Sequence, residues 1–285
     1  MLDAQAAGTN PPELYNLAAV RLWTKLRPGA RELITGMSSL CEVLVYTMGD
    51  RSYAGHMAQL LDPGGKLLRP GRLISAGDST VAGVKDLDVV LGDSRGVLVV
   101  DDTRAVWARH GANVIVPDRY HFFPSSASSF GDRGDTSWLA RGGDEDPSTG
   151  QLATIARVIT SVHGAFFDAE AQKPGSGDVR TCLASLRRGV LAGCVLLFSG
   201  VIPVSSSYPP TEHAVWRSAV ELGAAVVSDT SEAVTHVIIQ RSGTDKHRWA
   251  LAQPQVACVT PAWLAACASR WARAPEDDYT VPPPS

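Results

Sequence analysis

The stretch "GVLVVDD" (96–102) limits the possible folds more than any other part of this chain. Apolar, mostly β-branched residues run straight into two adjacent carboxylates, Asp101 and Asp102. A strand apolar on both faces suits a parallel sheet covered by helices, and such sheets gather their active groups at the carboxyl ends of the strands. A second run of this kind, "EVLVYT" (42–47), ends on Thr47. Between them "RSYAGHMAQLL" (51–61) has apolar residues at helical spacing, and "DPGG" (62–65) stops it with turn chemistry. The pattern predicts an α/β fold with its site at the strand ends.

The chain has 285 residues, enough for two ordinary domains, and is 45% hydrophobic and 19% charged. Its net charge of -3 disfavours direct tracking of a nucleic-acid backbone. Five cysteines are scattered without a C-x-x-C pair, which argues for a reducing compartment and against a zinc or disulfide framework. The longest uncharged run, "GVLAGCVLLFSGVIPV" (189–204), is interrupted by Gly and Pro. It falls short of the ~20 residues a membrane span needs, so it reads as a buried strand and turn. "MLDAQAAGTNPPE" has neither the basic cluster nor the apolar core of a secretory signal.

The composition divides the chain into residues 1–124, a connecting region 125–187 and a second domain 188–285. Residues 125–150 are rich in Ser, Gly and Asp and read as a linker or long surface loop. Helical spacing follows over 151–167, then over 178–191 with Asp178 as the cap. In the last hundred residues "CVLLFSG", "GAAVVS", "VTHVII" and "VACVT" read as strands. "HAVWRSAVEL", "DKHRWALA" and "PAWLAACASRW" read as helices between and after them.

Neighbouring carboxylates at a strand mouth repel, and a cation beside them keeps both ionised. Mg²⁺ takes one or two carboxylates together with waters and phosphate oxygens. Thr47 and the turn amides after it can bind a phosphate oxygen, and Lys85 can neutralise the same group. Each of these features also has an ordinary reading: a cap and solvated turn for Asp101-Asp102, a strand former in Thr47, a surface ion pair at Lys85. The order Thr, Lys, Asp-Asp is more specific than any one of them.

The segments "WTKLRPGARELI", "VLVYTMGDRSYAGHMAQLLDP", "GRLIS", "VKDLDVVLG", "VLVVDDTRAVW" and "YHFFP" resemble the catalytic domain of FCP-type phosphatases. These belong to the haloacid dehalogenase superfamily and act on the C-terminal repeat domain of RNA polymerase II; the plant-type members are the most alike. The resemblance covers residues 23–124 and implies a Rossmann-like parallel sheet. It also implies roles for individual residues. Thr47 would bind phosphate and Arg51 would lie near it. Lys85 would steady the phosphoryl group and the nucleophile. Asp101 and Asp102 would complete a magnesium site, with Asp102 the direct ligand ahead of Asp101. The implied reaction is Mg²⁺-dependent phosphoserine hydrolysis through an aspartyl-phosphate, in the nucleus.

That chemistry needs D-x-D-x-T at the end of an earlier strand, the first Asp attacking phosphorus and the second moving the proton. The only acids ahead of Trp23 are Asp3 and Glu13; Gln5 and Ala7 occupy the second and third motif positions if Asp3 is taken as the first. The expectation is an incomplete copy of an active phosphatase, its domain short at the N-terminal side.

The last hundred residues resemble a BRCT domain in the order β–α–β–β–α–β–α, with Trp263 as a core indole of the last helix. Phosphopeptide-reading members use a hydroxyl and an amide after the first strand, and a lysine opening the second helix. The matching residues are Ser199, Gly200, Thr244 and Lys246. Ser199 as a turn residue and Lys246 as a solvated helix start are the plainer readings. His236 reads as a core histidine bonded to backbone. The sequence thus points to a polymerase-tail serine phosphatase whose BRCT domain docks the phosphorylated tail, with other phosphoproteins as further candidate partners. A non-catalytic phosphoprotein-binding adaptor is the alternative.

Overall fold

A computed structural model describes residues 12–18, 22–203 and 208–282. By its internal contacts the chain forms two units, Met1–Val179 and Arg180–Ser285. Asp3, Gln5 and Ala7 lie outside the described residues.

The first unit opens with an antiparallel pair, β1 (Leu14–Leu17) and β2 (Leu22–Lys25). Helix α1 (Ala30–Met37) and strand β3 (Val45–Tyr46) follow. Helix α2 (Arg51–Leu61) has the bounds its spacing predicts, because Asp50 caps it by accepting from Tyr53 N at 2.7 Å. It ends at Asp62, whose carboxylate takes Leu67 N and Leu68 N at 2.6 and 2.9 Å; these two bonds pull its pKa below the usual carboxylate value. Strand β4 (Leu73–Ile74) pairs in parallel with β3, Val45 opposite Leu73. Strands β5 (Val99–Val100) and β6 (Val114–Ile115) form a second parallel pair, Val99 opposite Val114. Leu87, Val99, Trp107 and Val114 make the core beneath the second pair. The sequence suggests longer strands, over 42–47 and 96–102. Each pairs over two residues, since among the described residues each of β3 and β5 has one neighbouring strand.

Residues 125–150 do not behave as a linker. Helix α3 (Pro124–Ser129) begins the segment, and Trp138 N and Leu139 N bond His121 O and Phe122 O. Lys25, its side chain 1% exposed, pairs with Asp144 at 2.7 Å, and Asp144 also accepts from the Tyr120 hydroxyl at 2.7 Å. Burial, then the Asp144 carboxylate, push the Tyr120 pKa well up. Arg27 grips Glu145 in a two-pronged pair at 2.8 and 2.5 Å. Helix α4 (Gln151–Gln172) then buries Ile155, Val158, Ile159 and Val162 along one face, the i, i+3, i+4, i+7 pattern its sequence predicts.

The second unit begins within helix α5 (Val179–Gly189). Strand β7 (Val195–Ser199), helix α6 (Ala214–Glu221), strands β8 (Ala225–Val227) and β9 (His236–Ile239), helix α7 (Asp245–Leu251), strand β10 (Ala257–Val259) and helix α8 (Pro261–Arg270) follow. The sheet is parallel in the order β10-β9-β7-β8. Alternation along β7 and β9 builds two cores. Leu196, Phe198, Ile238 and Trp263 lie in one, and Leu197, Val237, Ile239 and Ala250 in the other. Trp263 is fully buried and donates to Ala274 O at 2.9 Å. His236 stacks on it at 4.7 Å. Its ring bonds side chains rather than the expected backbone: Nδ1 meets the Thr235 hydroxyl at 2.7 Å, and Nε2 faces Arg273 and Glu276. Strand β9 already commits its carbonyls to the sheet, so the ring turns to side chains. No helix among the described residues is long and apolar enough to cross a membrane.

Candidate active site

The carboxyl end of β5 presents Asp101 and Asp102. The backbone at Asp101 is held by its N–H to Ile115 O, and that at Lys85 by its N–H to Val106 O. This brings Lys85 Nζ to 2.6 Å from Asp101 Oδ2, with side chains 11% and 10% exposed. Trp107 Nε1 donates to the same oxygen at 2.9 Å, and Thr103 N to Oδ1 at 2.8 Å. Lys85 also sits over the rings of Tyr46 and Trp107, 5.5 and 5.7 Å from their centroids. The two rings meet edge to face. Asp101 thus accepts three hydrogen bonds, two on Oδ2 and one on Oδ1, and Lys85 lies in an aromatic box.

Asp102 is different. Its side chain is 43% exposed; Oδ1 accepts from the Thr103 hydroxyl at 2.7 Å, and among the described residues Oδ2 has only the Arg119 guanidinium at 3.9 Å. Among the described residues no three acidic, His or Cys side chains form a metal cage. One reachable carboxylate beside a heavily hydrogen-bonded one suits a cation that keeps most of its waters and completes its shell from a phosphate.

Thr47 directly follows Tyr46, which touches both Lys85 and Trp107. Its hydroxyl accepts from Gly49 N at 3.0 Å, folding the turn that leads to Asp50 and α2. A Cβ on Gly49 would stand 2.5 Å from the Tyr53 ring, so any larger residue there has to push that ring aside. Arg51 is exposed and is engaged by Asp78 and by Leu73 O. Trp107, Thr103 and Arg119 are site residues that the sequence reading missed. The first two lie inside "VDDTRAVW", within six residues of Asp101, and were legible there as donors. Arg119 gave no local signal.

Between the half-sheets of β3 and β5 runs an apolar trough of about 710 Å³. Tyr46 and Val99 line it from the strands, Ile159, Val162 and Phe166 from α4, and Asp101 lies at its rim.

In the second unit, Ser199 and Thr244 share a hydroxyl–hydroxyl bond of 2.6 Å, and Thr244 caps α7 through His247 N. Gly200 follows with φ of 69°. Lys246 Nζ bonds Ser228 O at 2.8 Å and Phe198 O at 3.2 Å, tying together the ends of β7 and β8. The four candidate residues thus gather at one strand end, with Ser199 buried.

Residues 9–139 match the family of NLI interacting factor-like phosphatases, and residues 187–268 match the BRCA1 C-terminus (BRCT) domain. The chain carries an FCP-type phosphatase domain of haloacid dehalogenase-like fold, followed by a BRCT domain. Among individual proteins, it is 38% identical over 266 residues to RNA polymerase II C-terminal domain phosphatase-like 4 of Arabidopsis thaliana, covering 93% of this chain and 59% of that one. It is 40% identical over 278 residues to phosphatase-like 3 of the same plant, covering 95% of this chain and 22% of that one. The chain therefore spans less than two thirds of either relative. Its fold matches a variant of the fission yeast RNA polymerase II CTD phosphatase Fcp1 bound to beryllium fluoride. The TM-score is 0.69 at 27% identity, over 91% of this chain and 81% of that one.

Proposed function

We propose that this chain is the phosphatase–BRCT portion of a nuclear, Mg²⁺-dependent serine phosphatase acting on the phosphorylated tail of RNA polymerase II. The observation that carries this reading is the rim itself: Asp101 bonded to Lys85, with Asp102 open beside it. The relatives' names, all polymerase-tail phosphatases, supply the substrate class and with it the nucleus. Asp102 would hold Mg²⁺, whose role is to neutralise charge on the phosphoryl oxygens. Lys85 would fix Asp101 and steady a phosphate oxygen, Thr47 would bind a second oxygen, and Arg51 would add positive charge nearby. Ser199, Gly200, Thr244 and Lys246 would receive phosphate on the BRCT domain.

No D-x-D-x-T occurs within the 285 residues. The enzyme reading needs an attacking carboxylate at the rim, which leaves a gap in the site as these residues form it. The same gap supports the second reading, a non-catalytic phosphoprotein-binding adaptor working through the BRCT domain.

The test is phosphate release from a phosphoserine repeat peptide. The enzyme reading expects Mg²⁺-dependent turnover once an apolar strand ending in D-x-D-x-T is fused ahead of residue 12. Asp102→Ala should then lower turnover by at least about 100-fold. A fused chain that stays inert, or one indifferent to Asp102→Ala, overturns it. An inert chain that binds phosphopeptide and loses binding in Lys246→Met would establish the adaptor.

A further inference from the structure

Lys85 is enclosed, and Arg51 is engaged by Asp78 and a backbone carbonyl. Another cation at the Asp102 rim is Arg119, and several of its contacts are defined. Nη2 donates to the Thr103 hydroxyl at 3.1 Å, and Nε stands 3.9 Å from Asp102 Oδ2. The Thr103 hydroxyl in turn donates to Asp102 Oδ1. The guanidinium lies 4.5 Å over the ring of Phe130, a side chain left 57% exposed. Among the described residues Nη1 has no hydrogen-bond partner, so part of the guanidinium's five-donor fork remains open.

Phe130 is not loose. It closes helix α3, with Phe130 N bonded to Ala127 O and Gly131 N to Ser128 O, and Gly131 turns the chain away at φ of 85°. His121 flanks the ring at 5.4 Å, itself pinned by Ser126 at 3.0 Å. An exposed aromatic ring on an anchored backbone, under an arginine that also faces a reachable carboxylate, forms a shelf. Its backbone loses little freedom when something lands on it.

We propose that Arg119 and Phe130 form a substrate shelf for a phosphorylated peptide, continuous with the Asp102 site. This rests on the phosphatase reading and extends it. When a cation neutralises Asp102, Arg119 is free to turn its open donors to the bound phosphate. An extended peptide advances ~3.3 Å per residue. The guanidinium-to-ring distance then puts a side chain one or two residues from the phosphoserine over Phe130. The shelf selects an apolar ring there, aromatic or proline, and gives no advantage to free phosphate.

The test uses the full chain in the Lys246→Met background, which removes the BRCT lysine. Anisotropy of a labelled phosphoserine repeat peptide and competition by inorganic phosphate are both read with Mg²⁺ present. Phe130→Ala should weaken the peptide roughly 3- to 10-fold, as loss of one ring contact does, and leave inorganic phosphate unchanged. Arg119→Ala should weaken both ligands, and Arg119→Lys should restore phosphate better than peptide. Peptide affinity within twofold of the parent in both alanine variants overturns the shelf. The metal site is scored separately by Asp102→Ala. If that variant keeps Mg²⁺-enhanced phosphate binding while the shelf variants fail, the phosphatase reading falls and the shelf stands. If it loses that enhancement while the shelf variants bind normally, the shelf falls alone.

Discussion

Replacing Lys85 by Met removes one half of a pair whose two side chains are about one-tenth exposed and 2.6 Å apart. Breaking a buried pair costs about 3–5 kcal/mol, chiefly because the surviving charge stays buried without its partner. Here Asp101 keeps two donors, Trp107 Nε1 and Thr103 N, which places the loss near the lower figure, about 3 kcal/mol. At 2–4 °C per kcal/mol for a unit of this size, the first unit should melt ~6–12 °C lower. Asp101→Asn alone strands Lys85 in its aromatic box, where the rings of Tyr46 and Trp107 offset part of the cost. The double variant leaves no buried charge and should recover to within about 1 kcal/mol of the parent, giving a coupling of more than ~2 kcal/mol, because whatever Asp101→Asn costs alone adds to it. Calorimetry of the full chain reads this directly, with the BRCT transition as an internal control. A Lys85→Met shift under 2 °C, or additive single and double variants, would refute the claim that this pair holds the rim together.

Three further outcomes follow from the second unit. Gly223 has φ of 93°, and a Cβ there would lie 1.8 Å from Arg188 O; Gly223→Ala should cost well over ~1 kcal/mol in denaturant titration, since backbone must move. Burial lowers the His236 pKa, so the folded domain binds fewer protons than the unfolded chain. BRCT stability should be fully present above pH ~7 and decline as pH falls through the unfolded value near 6.5, with His236→Gln flattening that slope in midpoints measured at pH 7.5 and 5.5. The Glu276 pKa is also lowered, against the opposing effect of burial, by bonds to Arg273 and His236; its contribution is lost only at more acid pH. Trp263→Phe leaves Ala274 O without its donor inside the core and should cost about 1–3 kcal/mol, read as a shift in the same midpoints.

Local chemistry made parts of this structure legible from sequence. Helix Arg51–Leu61 was readable because its cap, its spacing and its stop are all local. The BRCT elements were readable because each strand is apolar on both faces and each helix is bounded by a cap or a proline. The strands at 42–47 and 96–102 were overextended because strand length is set by the neighbour, and both border the trough. Lys85 and Asp101 were each singled out, but their bond spans sixteen residues and has no sequence signature. Arg119 needed the fold to bring it to Asp102. Residues 125–150 misled for the opposite reason: a Ser, Gly and Asp composition describes a linker until Lys25 and Arg27 find Asp144 and Glu145.

That clasp has a practical consequence for anyone dividing the protein. A protease or a cloning boundary placed at the glycine-rich sequence near residue 142 would cut a segment whose acids neutralise a lysine inside the first unit. The severed fragment would keep that lysine and lose its counter-charge. Fragments ending after Pro124 should therefore be poorly soluble, whereas a cut beyond Gln172 keeps both acids with their cations.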